Sequence, residues 1–428
     1  MIHQPASITG MGAVSPIGVG IPAYSAALRD GRSGVRLLEF AHPLLKSSVA
    51  APVAAPHFDP AEILPPADVL RLPRLVPMAL AAAREALDMA GWTPEGQPGA
   101  PVAVDRARRI GLVLGTGAGG IDFTLDQAQQ AYAPGGANRV SLWTITNATH
   151  GNLAGELSIR LGLKGPSWCV STGCASSSDA AGMALMALRS GLVDAMLVVG
   201  ADAHVRWETL HGMELLRVIS TRAFDQGQDA STASRPFDQT RDGFVLGEGA
   251  WAVLLERPDH QSSAESLGSL VGFGATCDAY HRVRPDPDMA ECARAIRAAI
   301  DDAGWATESV DLLHYHGTAT KINDAAETAA VKLALGPHAR QVRGTSVKSM
   351  IGHPQGACGM AALVASLCGV RGGFVPPTAN LKHPDPDCDL DYTPAVAASL
   401  ERDRTYRLLV NCLAFGAKNS VLAVESRA

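Results

Sequence analysis

The chain has 428 residues, of which 47% are hydrophobic, 18% charged and 5% aromatic, and its formal net charge is −6. A chain with so many apolar residues folds rather than staying disordered, and its length suits two domains or one large duplicated fold. The negative charge offers no electrostatic footprint for nucleic acid. No apolar stretch approaches the ~20 residues of a membrane helix, so neither a nucleic-acid nor a membrane partner is expected.

Cysteine usage and the N-terminal sequence predict the compartment. Eight cysteines are scattered over the chain, and no CxxC pair occurs among them. Neither a zinc knuckle nor a disulfide framework is therefore indicated. The opening residues MIHQPASITGMG lack the charged start and apolar core of a signal peptide. Together these features predict a protein of the reducing cytoplasm.

Helix-like and strand-like segments alternate along the chain. The strongest helical patterns are Met78–Ala90, Ser178–Ser190, Met289–Ala303 and Met360–Cys368, and the strand-like runs include Ile110–Leu114, Ala195–Val199, Leu312–Tyr315 and Leu408–Cys412. Alternation of this kind predicts an α/β fold in which buried sheets are covered by helices.

Five segments of the first half return in the same order in the second half. They match Ser7–Ala13 with Ser269–Ala275, Ala90–Trp92 with Ala303–Trp305, Ile110–Thr116 with Leu312–Thr318, Ala181–Ala184 with Cys358–Ala361, and Ala252–Glu256 with Val421–Glu425. Each match alone is at chance level, whereas five in one order predict a duplication. We expect two βαβ-rich halves, residues 1–260 and 266–428, around one core, with an irregular Pro/Ala-rich insertion over about residues 36–72.

A small-residue segment around Cys174 turns from a strand into a helix. At such a turn the free amides and the positive end of the helix dipole favour a thiolate and bind an oxyanion. The alternative is a buried structural cysteine, which is the commonest fate of a cysteine in a core.

Two further segments carry histidines. His316 ends a strand and precedes a turn at Gly317, and Lys348 and His353 lie five residues apart in a glycine-rich loop before a helix. Each has an ordinary explanation, as a satisfied core histidine, a solvated lysine or a helix cap. By the internal duplication, however, the Lys348 loop is the counterpart of the Cys174 turn, so both histidines are expected to converge on the cysteine.

Taken together, these segments resemble the elongating β-ketoacyl-acyl carrier protein synthases, which have the thiolase fold. The resemblance covers nearly the whole chain. It includes Thr9–Pro16, Arg235–Asp238, Arg241–Ala250, Asp278–His281, Val375–Leu381 and Ala414–Asn419, beside the Cys, HGTxT and KSxxGH elements of the Cys-His-His site. It implies a thiolase-like α-β-α-β-α core, a dimer and decarboxylative Claisen condensation of an acyl thioester with a malonyl thioester.

The resemblance also implies a role for each matching residue. Cys174 is the nucleophile that accepts the acyl chain, while His316 and His353 bind the malonyl thioester and stabilise its enolate. Lys348 supports their electrostatic field, and Glu327 supports the histidine loop. The remaining positions are Thr318 and Thr320 on the phosphopantetheine arm, and Phe415 as a gate whose backbone amide joins that of Cys174 in the oxyanion hole.

The same resemblance implies the partner and the cofactors. The phosphopantetheine belongs to the acyl carrier protein, so no metal or redox cofactor is expected. Because the carrier protein is acidic in this family, local cations are needed, and Arg71, Arg74 and Arg217 are the candidates for docking it. The dimer partner is either a second copy or a ketosynthase-like subunit.

The chain departs from the family pattern at two loops. Gly173 stands where alanine is usual before the nucleophile, and the Ala414–Asn419 loop carries Lys418 where the family usually has Gly-Phe-Gly-Gly-Thr-Asn. These changes leave the catalytic set intact but favour a specialised pathway, type II polyketide or unusual fatty acid.

Two other functions remain open from the sequence. A thiolase has a similar histidine loop and a second cysteine near the position of Cys412, but it lacks the HGTxT element and the lysine. A non-catalytic partner subunit of the chain-length-factor kind, which only shapes a synthase heterodimer, usually lacks the active cysteine.

Overall fold

Strands and helices alternate along the chain as the sequence predicts. The computed structural model describes residues 4–428 except 54–55, 94–96, 98 and 225–228. The strands are β1 (Ala6–Ser15), β2 (Gly18–Val19), β3 (Arg36–Leu37), β4 (Val49–Ala50), β5 (Ile110–Gly115), β6 (Ser167–Val170), β7 (Ala195–Asp202), β8 (Gly249–Glu256), β9 (Gly268–Cys277), β10 (Leu312–His314), β11 (Arg343–Thr345), β12 (Phe374–Val375), β13 (Ala398–Ser399), β14 (Thr405–Ala414) and β15 (Lys418–Arg427). The helices are α1 (Ile21–Asp30), α2 (Pro66–Val69), α3 (Leu75–Met89), α4 (Val104–Ala107), α5 (Ile121–Tyr132), α6 (Thr144–Ala148), α7 (His150–Leu161), α8 (Ser176–Arg189), α9 (Trp207–Leu215), α10 (Ala290–Asp302), α11 (Lys321–Leu335), α12 (Lys348–Ile351) and α13 (Cys358–Gly372).

The main sheet is built twice from the same strand order. Strands β1-β8-β7-β5-β6 form one half, and β9-β15-β14-β10-β11 form the other. The register is also repeated, since Ile8 pairs with Leu255 as Leu270 pairs with Val424. The two halves join where β1 pairs with β9 over three residues, and residues 257–267, where the sequence analysis divides the chain, connect β8 to β9.

Alternate side chains of the strands face different helices, which gives the five layers. In β5, Val113 contacts the apolar cluster that contains α8, α13 and residues of both half-sheets, whereas Leu112 and Leu114 contact the cluster of α3 and α7. The second half buries its other face against α10 and α11. Helix α13 is buried over residues 358–370, as expected for a helix enclosed on every side.

The glycines of the repeated Gly-x-Gly motif allow a helix to lie directly on a strand. A Cβ atom on Gly12 would meet the carbonyl oxygen of Ala82 in α3 at 2.0 Å, and one on Gly274 would meet that of Ala295 in α10 at 2.1 Å. No side chain fits at such distances, so the duplicated motif records the same close packing in both halves.

Four of the five repeated segments occupy equivalent positions, and the fifth is out of register. The turns that precede α8 and α13, Gly173–Ala175 and Gln355–Ala357, are equivalent. Aligning these turns pairs Cys358 with Ser176 rather than with Ala181. Helices α8 and α13 are therefore equivalent, although the residues matched in the sequence are not.

The predicted insertion over about residues 36–72 contains little regular structure. Its short strands β3 and β4 pair with each other, and Ala51 bridges to Gly247. This contact brings the insertion next to the segment that supports His353.

Candidate active site

Cys174 lies at the strand-to-helix turn that the sequence predicts. The turn Gly173–Ala175 follows β6 and leads directly into α8. Gly173 has a φ of 67°, a left-handed conformation that disfavours the alanine usual in the family. The Cys174 side chain is 4% exposed and lines a cavity of about 350 Å³.

His316 is held by a carboxylate behind its backbone. Glu327, buried in α11, accepts hydrogen bonds from the His316 amide (2.7 Å), the Gly317 amide (2.9 Å) and the Asn411 side chain (3.2 Å). Buried polar groups need such partners, so Glu327 fixes the loop rather than facing the cavity.

The Lys348 loop places the side chains of Lys348 and His353 next to His316. Lys348 Nζ donates to the His316 carbonyl oxygen at 2.7 Å and lies 3.5 Å from His316 Nδ1. The His353 backbone is fixed by Val245, whose carbonyl accepts from its amide at 2.7 Å. The His316 and His353 rings meet edge to face, with centroids 5.3 Å apart.

The predicted site residues therefore converge from both halves. Cys174, His316 and His353 each offer a sulfur or nitrogen atom, and these three atoms lie within 4.8 Å of one another. The residues that line the same cavity include this trio, Thr318, Thr320, Phe415 and Arg217. Arg71 and Arg74 are not among the described residues that line it, and Arg74 instead pairs with Glu248 (2.7 Å) in a separate cavity.

Burial controls the protonation of the trio. Burial raises the pKa of Cys174 to about 12, although the Lys348 charge and the Phe415 amide both act to lower it. Burial and the Lys348 charge hold the pKa values of His316 and His353 well below the ordinary value for histidine. The helix N-terminus favours a thiolate, but desolvation of the buried sulfur outweighs this effect. The resting site pairs a thiol with two neutral imidazoles.

Two residues of the site have no assigned role in the sequence analysis. Gln355, at a φ of 45°, accepts from Cys174 Sγ at 3.8 Å. Asp202 ends β7 and is fully buried, and it accepts from Thr116 Oγ1, Gly117 N and Ala118 N on one side and from Gly356 N on the other. Gln355 lies two residues after His353 in the glycine-rich loop, whereas an isolated Asp after a strand gives no signal in sequence.

Phe415 lies at the tip of the hairpin between β14 and β15. Its amide is directed at Cys174 Sγ. The tip is held by bonds from Gly416 N to the Arg282 carbonyl (2.9 Å) and from Asp278 N to the Ala417 carbonyl (2.7 Å). Lys418, the departure from the family pattern, also lines the cavity.

Comparison with known proteins identifies the family. Residues 3–261 match the N-terminal domain of β-ketoacyl synthases, and residues 267–382 match the C-terminal domain. The chain belongs to the β-ketoacyl synthase family. It is 35% identical over 425 residues to 3-oxoacyl-[acyl-carrier-protein] synthase 2 of Synechocystis, covering 98% of this chain and 97% of the relative.

Solved ketosynthase structures have the same fold over the full length. The ishigamide ketosynthase/chain length factor superimposes with a TM-score of 0.87 at 31% identity, covering 100% of both chains. A type II polyketide ketosynthase in complex with its acyl-carrier protein gives a TM-score of 0.87 at 27% identity, covering 99% of each chain. These matches confirm the thiolase-like class. Among the described residues, no helix has the length and apolar character needed to cross a membrane.

Proposed function

We propose that this chain is a β-ketoacyl-acyl carrier protein synthase that lengthens an acyl thioester by two carbons in fatty acid or type II polyketide biosynthesis. The observation that carries the proposal is the convergence of one buried thiol and two neutral imidazoles, contributed by both halves, at one cavity. A non-catalytic subunit has no use for this arrangement, and the HGTxT element and Lys348 disfavour a thiolase.

In the first half-reaction, Cys174 attacks the acyl thioester of the carrier protein. The sulfur–carbon bond forms while the pantetheine sulfur leaves, and the Cys174 proton passes to the leaving group through a neutral imidazole. Coupling deprotonation to attack is necessary because the thiol is protonated at rest. The Phe415 and Cys174 amides stabilise the oxygen on which negative charge develops.

In the second half-reaction, His316 and His353 donate to the carbonyl oxygen of the malonyl thioester. Loss of CO₂ leaves an enolate that these donors stabilise, and its carbon attacks the acyl group on Cys174. The carbon–sulfur bond breaks, and the departing thiolate takes up one proton from solvent, which restores the thiol. Neutral imidazoles suit this role because they can donate an N–H without introducing a charge. The reaction as written requires no metal or redox cofactor, since the phosphopantetheine arrives with the carrier protein.

The cavity rim supplies the positive charge for an acidic carrier protein. Arg217, Arg284 and Lys321 are exposed and line the cavity that contains Cys174. Charge reversal at Arg217 and Arg284 should raise the KM for carrier-bound substrate and spare small pantetheine thioesters. The same assay on Arg71 and Arg74 tests the docking site predicted from sequence.

We further propose that the protein works in the cytoplasm as a homodimer or with a ketosynthase-like subunit. All eight cysteines are free thiols, which suits a reducing compartment. The matched ketosynthase/chain length factor and carrier-protein complex provide precedents for both kinds of partner.

The test is the intact mass of the protein after incubation with an acyl-carrier protein and then with malonyl-carrier protein. We expect an acyl adduct that malonyl-carrier protein discharges with release of CO₂. Cys174→Ala should abolish the adduct, while the exposed-cysteine control Cys277→Ala should retain it. Absence of an adduct on folded protein would favour the scaffold function, and discharge without CO₂ release would favour a thiolase.

A further inference from the structure

Behind the nucleophile lies a second cluster of ligand-type side chains that the condensation does not use. Cys358 begins α13 and Cys412 lies in β14, and both are fully buried. Together with His316 they offer two sulfurs and one nitrogen within 4.8 Å of one another. Two unpaired thiols beside a catalytic histidine form a possible metal-binding set rather than a lone cysteine.

The distances are close to those of a tetrahedral thiolate–imidazole site. Zn–S bonds of about 2.3 Å and a Zn–N bond of about 2.0 Å place two sulfurs about 3.7 Å apart and a sulfur and a nitrogen about 3.5 Å apart. Cys358 Sγ lies 3.6 Å from Cys412 Sγ and 4.0 Å from His316 Nδ1. The distance from Cys358 Sγ to His316 Nδ1 has to shorten by about 0.5 Å, and the ligand atoms of all three residues already lie within 4.8 Å of one another.

We propose that Cys358, Cys412 and the Nδ1 atom of His316 bind a thiophilic divalent cation such as Zn²⁺, and that this binding blocks condensation. Two S–H bonds break, two metal–sulfur bonds form, Nδ1 donates its lone pair, and two protons leave to solvent. The two thiolates balance the charge of the cation, so the cation enters without adding a net buried charge.

The cation acts on the second half-reaction rather than the first. Binding fixes the His316 ring through Nδ1 and competes with the contact to Lys348 Nζ, so His316 can no longer reorganise around the malonyl carbonyl. Cys174 is not a ligand and remains free to accept an acyl chain. The inhibition, unlike the binding itself, rests on the proposed function.

The chain itself suggests variants that keep the fold. Ser176, which is equivalent to Cys358, donates its hydroxyl to the Gly173 carbonyl at 2.6 Å, and Cys358 Sγ donates to the Cys174 carbonyl at 3.0 Å. Serine should therefore retain this bond in Cys358→Ser. Cys368→Ser, ten residues further along α13 in another buried position, is the matched control.

The experiment follows Co²⁺ binding to the reduced full-length protein through thiolate-to-metal charge-transfer absorption. We expect this absorption in the wild type, with affinity lower by at least about tenfold in Cys358→Ser and in Cys412→Ser and unchanged in Cys174→Ala and Cys368→Ser. Affinity should also rise with pH, because two thiol protons are released. Zn²⁺ should slow discharge of the acyl enzyme more than its formation.

Three results would overturn the proposal. The first is that the wild type shows no thiolate-to-metal absorption. The second is that the absorption is lost in Cys174→Ala but kept in both serine variants. The third is that two thiols are lost without any bound metal, which would indicate a disulfide. Circular dichroism checks each fold, and Cys412→Ser alone decides if Cys358→Ser does not fold. The absorption does not depend on turnover, so the metal-binding result can be interpreted even if the proposed function is wrong.

Discussion

Asp202 joins the two halves beneath the active site, and Asp202→Asn should show how much that junction contributes. Its Oδ1 accepts from Thr116 Oγ1 (2.8 Å) and Ala118 N (3.0 Å), and its Oδ2 accepts from Gly117 N (2.8 Å) and Gly356 N (2.6 Å). The first three donors belong to the first half, and the fourth belongs to the histidine loop. Asparagine has the same shape but replaces one acceptor with a donor.

The expected cost follows from the better of the two amide orientations. With the amide nitrogen in the place of Oδ1, the Thr116 hydroxyl can turn to accept, but the Ala118 amide faces another donor. An unsatisfied buried donor costs about 1–3 kcal/mol, and each retained bond loses about 1 kcal/mol when its acceptor is no longer charged. Relief from burying a charge offsets part of this loss, so we expect a decrease of about 2–4 kcal/mol in the free energy of unfolding.

The assay is chemical denaturation, together with the rate of Cys174 acylation in the folded protein. Asp194→Asn is the control, because Asp194 pairs with the half-exposed Arg109 and such pairs contribute about 0–1 kcal/mol. The acylation rate should fall in Asp202→Asn alone, because Gly356 is next to Gln355 and the nucleophile. An unfolding free energy within about 1 kcal/mol of the wild type, or equal to that of the control, would refute the reasoning.

Three further substitutions test the supports of the site. Glu327→Gln should abolish a pH dependence of stability, which denaturation at several pH values would measure. Burial raises the pKa of Glu327 from 4.5 to about 7, so the folded wild type binds one more proton than the unfolded chain between those values. The free energy of unfolding of the wild type should therefore fall by up to about 3 kcal/mol as pH rises through that range. Gly356→Ala should prevent folding or expression of soluble protein, since its Cβ would meet Gly117 N at 2.2 Å, and a normal melting curve would contradict the packing. Lys348→Met should reduce the rate of condensation by more than about tenfold. The acidic limb of the pH–rate profile should also move to higher pH, because the pKa of His316 rises when the neighbouring charge is removed. An unshifted pH profile would argue against that electrostatic role.

The fold could be predicted from sequence because its signals are local or repeated. Short sequence motifs carry these signals: the Gly-x-Gly motifs of β1 and β9, the alternating elements and the three motifs of the site. Their order along the chain indicates how the two halves face each other. The sequence alone therefore predicts that the Cys174 turn and the His316 strand lie close together.

The features that could not be predicted depend on distances between residues, which the amino-acid sequence does not contain. Asp202 is one acid at the end of a buried strand, and only the packing of the two halves shows that Gly356 lies opposite it. The protonation of Cys174 cannot be predicted from sequence for the same reason, because the helix dipole can be inferred from the turn whereas the extent of burial cannot. Likewise, nothing in the sequence around Arg284 and Lys321 shows that these residues reach the cavity rim.

The duplicated architecture also explains why one thiol and two imidazoles meet at all. The equivalent turns Gly173–Ala175 and Gln355–Ala357 lie against each other at the N-terminal ends of α8 and α13, where Cys174 Sγ is 3.8 Å from Gln355 Oε1. Each half thus brings one turn to the same point, and the chemistry arises because the two turns differ. The first carries the nucleophile, the second follows His353, and neither half alone holds both. A change that separates the turns without altering a catalytic side chain should therefore impair both half-reactions together.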